Sequence, residues 1–223
     1  MVSSGEFDKN LIESELFLEF YGALMGDGWI GKYYNKKYEK THWIVGFSGH
    51  SINDRNYFLN RISYLMRSLF GRKGYLKNRP KNSIEFIFGH KDLIIFMNEQ
   101  LGFPIGKKGQ IGINQKFVEE WEFLRYIVRG LFDTDGSFYL DRDERYKRPY
   151  PILEISTVSK KLRDQILEGL KRQEYRVIKH KNGIRIKGVE QVDRWFKEID
   201  PKNEKHLLRY NLWLNSGPVA QFG

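Results

Sequence analysis

The sequence predicts an α+β fold in which one unit of about 100 residues occurs twice in tandem, related by pseudo-symmetry. Three observations point to it. Phe20 to Ile30, FYGALMGDGWI, matches Val128 to Phe138, VRGLFDTDGSF, with Asp27 against Asp135 and Gly28 against Gly136. A weaker match continues downstream: Asn82-Ser-Ile-Glu-Phe-Ile against Asn182-Gly-Ile-Arg-Ile-Lys, then Phe103-Pro-Ile-Gly-Lys-Lys108 against Asp200-Pro-Lys-Asn-Glu-Lys205. Hydrophobic periodicity also alternates in the same order in both halves: helix, strands, helix, strands, helix.

Each copy opens on an amphipathic helix, Leu16, Phe17, Phe20, Tyr21 and Leu24 in the first and Leu124, Ile127, Val128 and Leu131 in the second. Period-two alternation follows, with Trp43, Val45 and Phe47 in copy one and Leu153 and Ile155 in copy two. Asp54 is placed to cap the next helix, through Phe58, Ile62, Leu65 and Leu69; its counterpart carries Leu162, Ile166 and Leu170. Hairpins then pair Tyr75–Arg79 with Ile84–Phe88, and Tyr175–Lys181 with Ile184–Lys187, before third helices over Leu93–Glu99 and Val192–Glu198. The expected organisation is a repeat over 1–101, a linker over 102–120 with its glycines in Gly102–Lys116, a second repeat over 121–215, and a frayed tail over 216–223.

The 38 Lys and Arg against 28 Asp and Glu leave a net charge of +10 on 223 residues, which favours a polyanionic partner. With 40% hydrophobic and 15% aromatic residues the chain folds rather than forming a disordered basic arm. The absence of cysteine excludes disulfides, thiolate zinc sites, iron–sulfur clusters and cysteine nucleophiles. No stretch approaches a membrane span, and the N-terminus has no targeting pattern. The expectation is a soluble, intracellular protein, in the cytoplasm of a prokaryote or in an organelle, with no membrane partner.

Asp-Gly at the foot of one apolar helix reads as a helix stop. Twice, beneath helices carrying Gly22 and Gly26 or Gly130 and Thr134 at four-residue spacing, it reads differently. Small residues at that spacing let two helix backbones approach, and such packing about a pseudo-twofold axis brings Asp27 and Asp135 together. Adjacent carboxylates repel unless a cation lies between them. The pattern therefore predicts an oxygen-ligated divalent-metal site, Mg2+ first, completed by main-chain carbonyls at the helix ends, Gly26 and Thr134, and by water. In a strongly basic protein this suits phosphodiester hydrolysis.

At FYGALMGDG and VRGLFDTDG the sequence resembles the LAGLIDADG homing endonuclease family in its two-motif, single-chain form. The resemblance extends over FLRYIVRGLFDTDGSF, the preceding LGFPIGKKG and NEKHLLRY near the end, and so over nearly the whole chain. It implies tandem αββαββα units, a saddle of two four-stranded antiparallel sheets on DNA, and cleavage of both strands across the minor groove. It implies that Asp27 and Asp135 each bind metal and serve one scissile phosphate, with Mn2+ substituting for Mg2+ and Ca2+ supporting binding without cleavage. It also implies one basic residue beside each centre, which copy matching assigns to Lys108 and Lys205, with Lys107 the alternative to Lys108. Ser48, Ser51, Ser156 and Ser159 are weaker candidates for the polar shell.

Strand parity selects the face turned away from the helices. Leu76, Ile84 and Phe86 go to the core in copy one, leaving Lys77, Arg79, Glu85 and Ile87 outside. In copy two Ile178, Ile184 and Ile186 go inward and Lys179, Lys181, Arg185 and Lys187 outward; on the first strands Tyr33, Asn35, Lys37, Tyr139 and Asp141 face outward. Such a face offers donors and acceptors to base edges, and Lys147 and Arg148 would clamp phosphate. The copies differ at nearly all these positions, which predicts an asymmetric target. The favoured function is a monomeric, site-specific, intron-encoded double-strand DNA endonuclease. An RNA-binding maturase acting on its host intron RNA and a non-cleaving DNA-binding regulator are the competing functions. Retention of both aspartates favours the nuclease.

Overall fold

The computed structural model describes residues 8–141 and 149–215. In the first copy α1 (Lys9–Ile12) is one turn capped by Asp8, and α2 (Glu15–Met25) begins where the Ser14 hydroxyl accepts the Phe17 N–H. Strands β1 (Gly28–Asn35) and β2 (Lys40–His50) follow. The next helical rod runs through α3 (Arg55–Tyr57), a π-helical turn over Phe58–Ile62, and α4 (Ser63–Phe70). Gly71, in the left-handed region, ends it. β3 (Tyr75–Arg79), β4 (Ser83–Gly89) and α5 (Lys91–Glu99) complete the copy, and α6 (Gln115–Val118) lies in the connecting segment. The second copy contains α7 (Trp121–Asp135), β5 (Gly136–Asp141), β6 (Tyr150–Ser156), α8 (Lys160–Arg172), β7 (Val177–His180), β8 (Gly183–Lys187) and α9 (Val189–Glu198), with α10 (Glu204–Asn215) after it.

The described residues form two four-stranded sheets of identical topology, β1-β2-β4-β3 and β5-β6-β8-β7, with all pairings antiparallel. Helices cover one face of each sheet. The core between them includes Phe20, Phe47, Phe58 and Phe88 in the first copy and Phe132, Phe138, Trp195 and Phe196 in the second. The α+β expectation of tandem repeats is met.

α2 and α7 pack on each other backbone to backbone. A Cβ on Gly22 would overlap the Ile127 carbonyl of α7, and one on Gly130 would overlap the Glu19 carbonyl of α2. The contact is reciprocal, as a pseudo-twofold axis requires. It also carries buried charge that periodicity does not reveal. The Glu19 carboxylate accepts two bonds from Arg61, at 2.6 and 2.5 Å, and lies 3.4 Å from Arg129. Arg129 in turn donates to Glu15 and to the Ile199 carbonyl, so each buried charge is paired and bonded.

Two local expectations are corrected. Asp54 stands at the start of its helix but makes no capping bond. Its carboxylate instead accepts the His50 N–H at 2.8 Å and the Lys205 ammonium at 3.0 Å. The strand expected over Tyr175–Lys181 is shorter and its parity is the reverse. Val177 is buried while Ile178 is 53% exposed, because Ile178 stands opposite Arg185 and Lys179 opposite Ile184. Lys179 is therefore on the helix-facing side of the sheet, where it meets Asp164 of α8 at 2.9 Å. An isoleucine misleads here because β7 is an edge strand, where one apolar side chain does not decide which face is buried.

Candidate metal centre and nucleic-acid face

The close approach of α2 and α7 sets the position of their feet. Asp27 follows Gly26, the residue capping α2, and Asp135 is the last residue of α7. The gap is narrow: a Cβ on Gly26 would overlap the Thr134 hydroxyl and come 3.4 Å from the Asp135 carboxyl carbon. The Ser48 N–H donates to the Asp27 carbonyl at 3.0 Å, which ties the foot of α2 to the end of β2.

Burial and mutual repulsion govern the two carboxyls. Burial pushes Asp27 up to about 7; the Asp135 and Asp54 charges add to the rise, and Lys205 and Lys108 oppose it. Burial likewise pushes Asp135 up to about 6 against the pull of the same lysines. Each lysine lies on the carbonyls of a motif-helix end. Lys108 donates to Met25 O at 3.0 Å and to Gly26 O, and Lys205 lies 3.5 Å from Thr134 O. Desolvation holds Lys108 below the ordinary lysine range despite the neighbouring aspartates. The two halves are not equal, since Lys205 is also paired with Asp54 while Lys108 rests on main-chain oxygen.

A third aspartate, which the sequence reading did not single out, organises this region. Asp133 is fully buried, and its carboxylate accepts the N–H groups of Lys202 at 2.9 Å and Asn203 at 3.1 Å. Asn203 donates from its side chain to Asp133 O and accepts the Lys205 N–H at 3.2 Å. This turn leads into α10 and delivers Lys205 to the centre. Burial, reinforced by Glu19, pushes Asp133 up to about 7. The available signal was an acid at a buried position of an amphipathic helix, two residues before the motif aspartate.

A cavity of about 500 Å3 opens beside the centre, lined by Gly26, Lys108, Asp135, Ser156, Val158 and Asn182 among others. Of the candidate serines, Ser156 lines it and Ser48 accepts the Trp29 indole N–H at 3.1 Å. Ser51 donates its main-chain N–H to Asn82 O. Ser159 also lines the cavity, but its hydroxyl is engaged, bonding Ile111 O and capping α8 at Leu162.

No group of three or more His, Asp or Glu side chains suited to a metal ion occurs among the described residues. Two carboxylates beside main-chain carbonyls that already draw ammonium groups still form an all-oxygen, cation-seeking donor set. That set fits a hard divalent ion which keeps part of its water shell.

On the sheet faces turned away from the helices, Tyr33 stacks on His42 at 5.0 Å, and Asn35 accepts the Lys37 N–H in the β1–β2 turn. Lys77 stands opposite Glu85, which Arg79 also bonds at 2.8 Å. In the second sheet Glu154 accepts from Tyr139 at 2.9 Å and from Arg185 at 2.7 Å; Asp141 stands opposite Tyr150 and Lys187 opposite Ile152. Lys181 occupies the β7–β8 turn. Lys147 and Arg148 lie outside the described residues. No helix among the described residues is long and apolar enough to cross a membrane.

Residues 122–210 match the family of LAGLIDADG-like domains. Among solved structures, mesophilic variants of the homing endonuclease I-DmoI superpose with a TM-score of 0.61 at 16% identity, over 91% of this chain and 100% of theirs. I-DmoI in complex with DNA and Ca gives 0.56 at 18%, over 85% and 88%. The meganuclease I-SmaMI, bound to uncleaveable DNA, gives 0.58 at 14%, over 90% of each chain. Further I-DmoI complexes contain Mg or Mn. No curated protein matches the chain.

Proposed function

We propose, from the premise that residues 122–210 are a LAGLIDADG-like domain and that the chain has the fold of the single-chain homing endonucleases, that this protein cuts both strands of a long asymmetric DNA site. The observation that carries the reading is the pair of buried carboxyls, Asp27 and Asp135, held at the feet of two helices in backbone contact. Because one chain supplies both, it acts as a monomer. An intron-encoded role in mobility fits a chain consumed by two repeats.

Asp27 and Asp135, with the carbonyls of Gly26 and Thr134, would hold divalent cations, Mg2+ first and Mn2+ in its place. A cation bound there supplies Lewis acidity toward the attacking water and the leaving oxygen. Lys108 and Lys205 place ammonium groups where negative charge grows on the phosphate, and burial strengthens that interaction. Double-stranded DNA lies along the outer sheet faces. There Tyr33, Asn35, Lys37, Lys77, Arg79, Glu85, Tyr139, Asp141, Lys181, Arg185 and Lys187 meet bases and phosphates.

The test is to incubate the protein with a DNA library, in magnesium or in calcium, and sequence the ends produced. Paired breaks with short 3′ overhangs in magnesium alone are expected. Tight, salt-sensitive binding without breaks in either ion would overturn the nuclease and point to a binding protein.

Two further results are expected. Protons compete with the cation at carboxyls raised to about 7 and about 6. Calcium affinity, measured by calorimetry, should therefore weaken about tenfold or more as pH falls from 8 to 5.5. A flat profile would remove these carboxyls from the cation site. Lys77→Ala should cost about 1–3 kcal/mol of DNA binding if it reads a base, or lower the salt slope by about one if it meets phosphate. Arg185→Ala should cost less, because Glu154 already engages that guanidinium. Equal, negligible losses would place both away from DNA.

A further inference from the structure

The two most exposed large hydrophobic side chains among the described residues are Val158, at 84%, and Ile52, at 75%. They are not scattered. Each lies in the loop after the second strand of its copy, and each follows a residue making the same bond. Ser51 N–H donates to Asn82 O and Thr157 N–H to Asn182 O, both at 2.8 Å. Each loop is thereby pinned to the tip of its own hairpin, and the aliphatic side chain next in sequence is left in solvent. Keeping one such side chain exposed is ordinary; presenting two at pseudo-equivalent positions, on anchored loops, is an arrangement.

Both loops border the carboxylate centre. Val158 lines the cavity that contains Asp135 and Lys108. Ile52 lies between His50 and Asp54, whose mutual bond fixes the loop, and Asp54 holds Lys205. The Ile52 N–H is itself 3.3 Å from the His50 ring nitrogen. The apolar pair and the aspartate pair thus share one pseudo-twofold axis.

The inference rests on the endonuclease reading above. Two scissile phosphates served by adjacent carboxyls lie close to each other, and in B-DNA the minor groove is about 6 Å wide against about 12 Å for the major groove. The base pairs between the cuts therefore present their minor groove to the centre. We propose that Ile52 and Val158 are a pair of apolar wedges that enter this groove from either side and press on the base steps between the two cut positions. Unstacking those steps bends the duplex into the centre, and the cost is met by burying the two side chains. Aliphatic groups offer no hydrogen bond to base edges, so selection at these positions is by deformability. Flexible pyrimidine–purine steps are preferred there.

The test uses the full chain and a duplex selected for binding from a random library in calcium, so it does not depend on cleavage. 2-Aminopurine is placed in turn at the central steps. Native protein is expected to raise its fluorescence there and not in the flanks. The Ile52→Ser, Val158→Ser double variant should lose that rise and bind roughly tenfold more weakly. Its thermal midpoint should be unchanged, since neither side chain is in the core. Ile52→Leu and Val158→Ile should keep the signal. Unchanged fluorescence and affinity in the serine variant, with the native chain binding normally, would overturn the wedge alone. Failure of the native chain to select any duplex would overturn the DNA reading and the wedge with it.

Discussion

Asp27→Asn and Asp135→Asn should each reduce double-strand cleavage by about 10²–10³-fold or more, and the double variant should cut neither strand. An active double variant would refute the assigned centre. The same substitutions should stabilise the metal-free protein at pH 8. A carboxyl whose folded pKa is raised contributes stability that is full below the unfolded value, near 4, and is lost as pH climbs through the folded value. For Asp27 that loss is complete above about 7, and for Asp135 above about 6. At pH 8 each native carboxylate is therefore charged, desolvated and repelled by its neighbour. Asparagine keeps the shape without the charge. A gain of about 2 kcal/mol, or several degrees in thermal midpoint, is expected for Asp27→Asn, shrinking toward zero by pH 4. Magnesium should reverse the ranking by stabilising only the native chain. A variant less stable than native at pH 8 without metal would show that the centre is not strained by its own charge.

Gly22→Ala and Gly130→Ala should each destabilise the fold by about 3 kcal/mol or more, measured by urea denaturation. On an exposed helix the same change would stabilise by about 1 kcal/mol through propensity. Here the new methyl meets main chain that has no rotamer to change: the Ile127 carbonyl in one case and, in the other, Glu19 O together with Ala23 N, 2.6 Å away. Over-packing of about 1–3 kcal/mol or more outweighs propensity, and relief requires the two helices to part. Parting them separates Asp27 from Asp135, so cleavage should fall further than stability alone explains. Gly169→Ala in α8 is the control. Its Cβ meets the tip of the Leu124 side chain, which can turn, and the cost should be smaller. Equal stability of Gly22→Ala and the native chain would rule out the backbone contact between α2 and α7.

The duplicated helix foot, the order of elements and most strand faces were legible in the sequence because each depends on residues a few positions apart. Side chains on a strand alternate, and apolar residues on a helix recur each turn, so Ile84 and Phe86 or Ile127 and Val128 declare their burial locally. Even the packing of the motif helices was written in small residues at four-residue spacing. β7 was misread because an edge strand's burial depends on what covers it. Asp54 was read as a helix cap from its own neighbourhood, whereas its charge answers to Lys205 in the other copy. Asp133, buried beside Glu19 and bonded to the turn that carries Lys205, shows only an acid on a helix until the chain has folded. Local periodicity determined the two repeats and where their aspartates stand. Only the tertiary structure decided which charges meet, because Coulomb interactions and desolvation depend on distance through space.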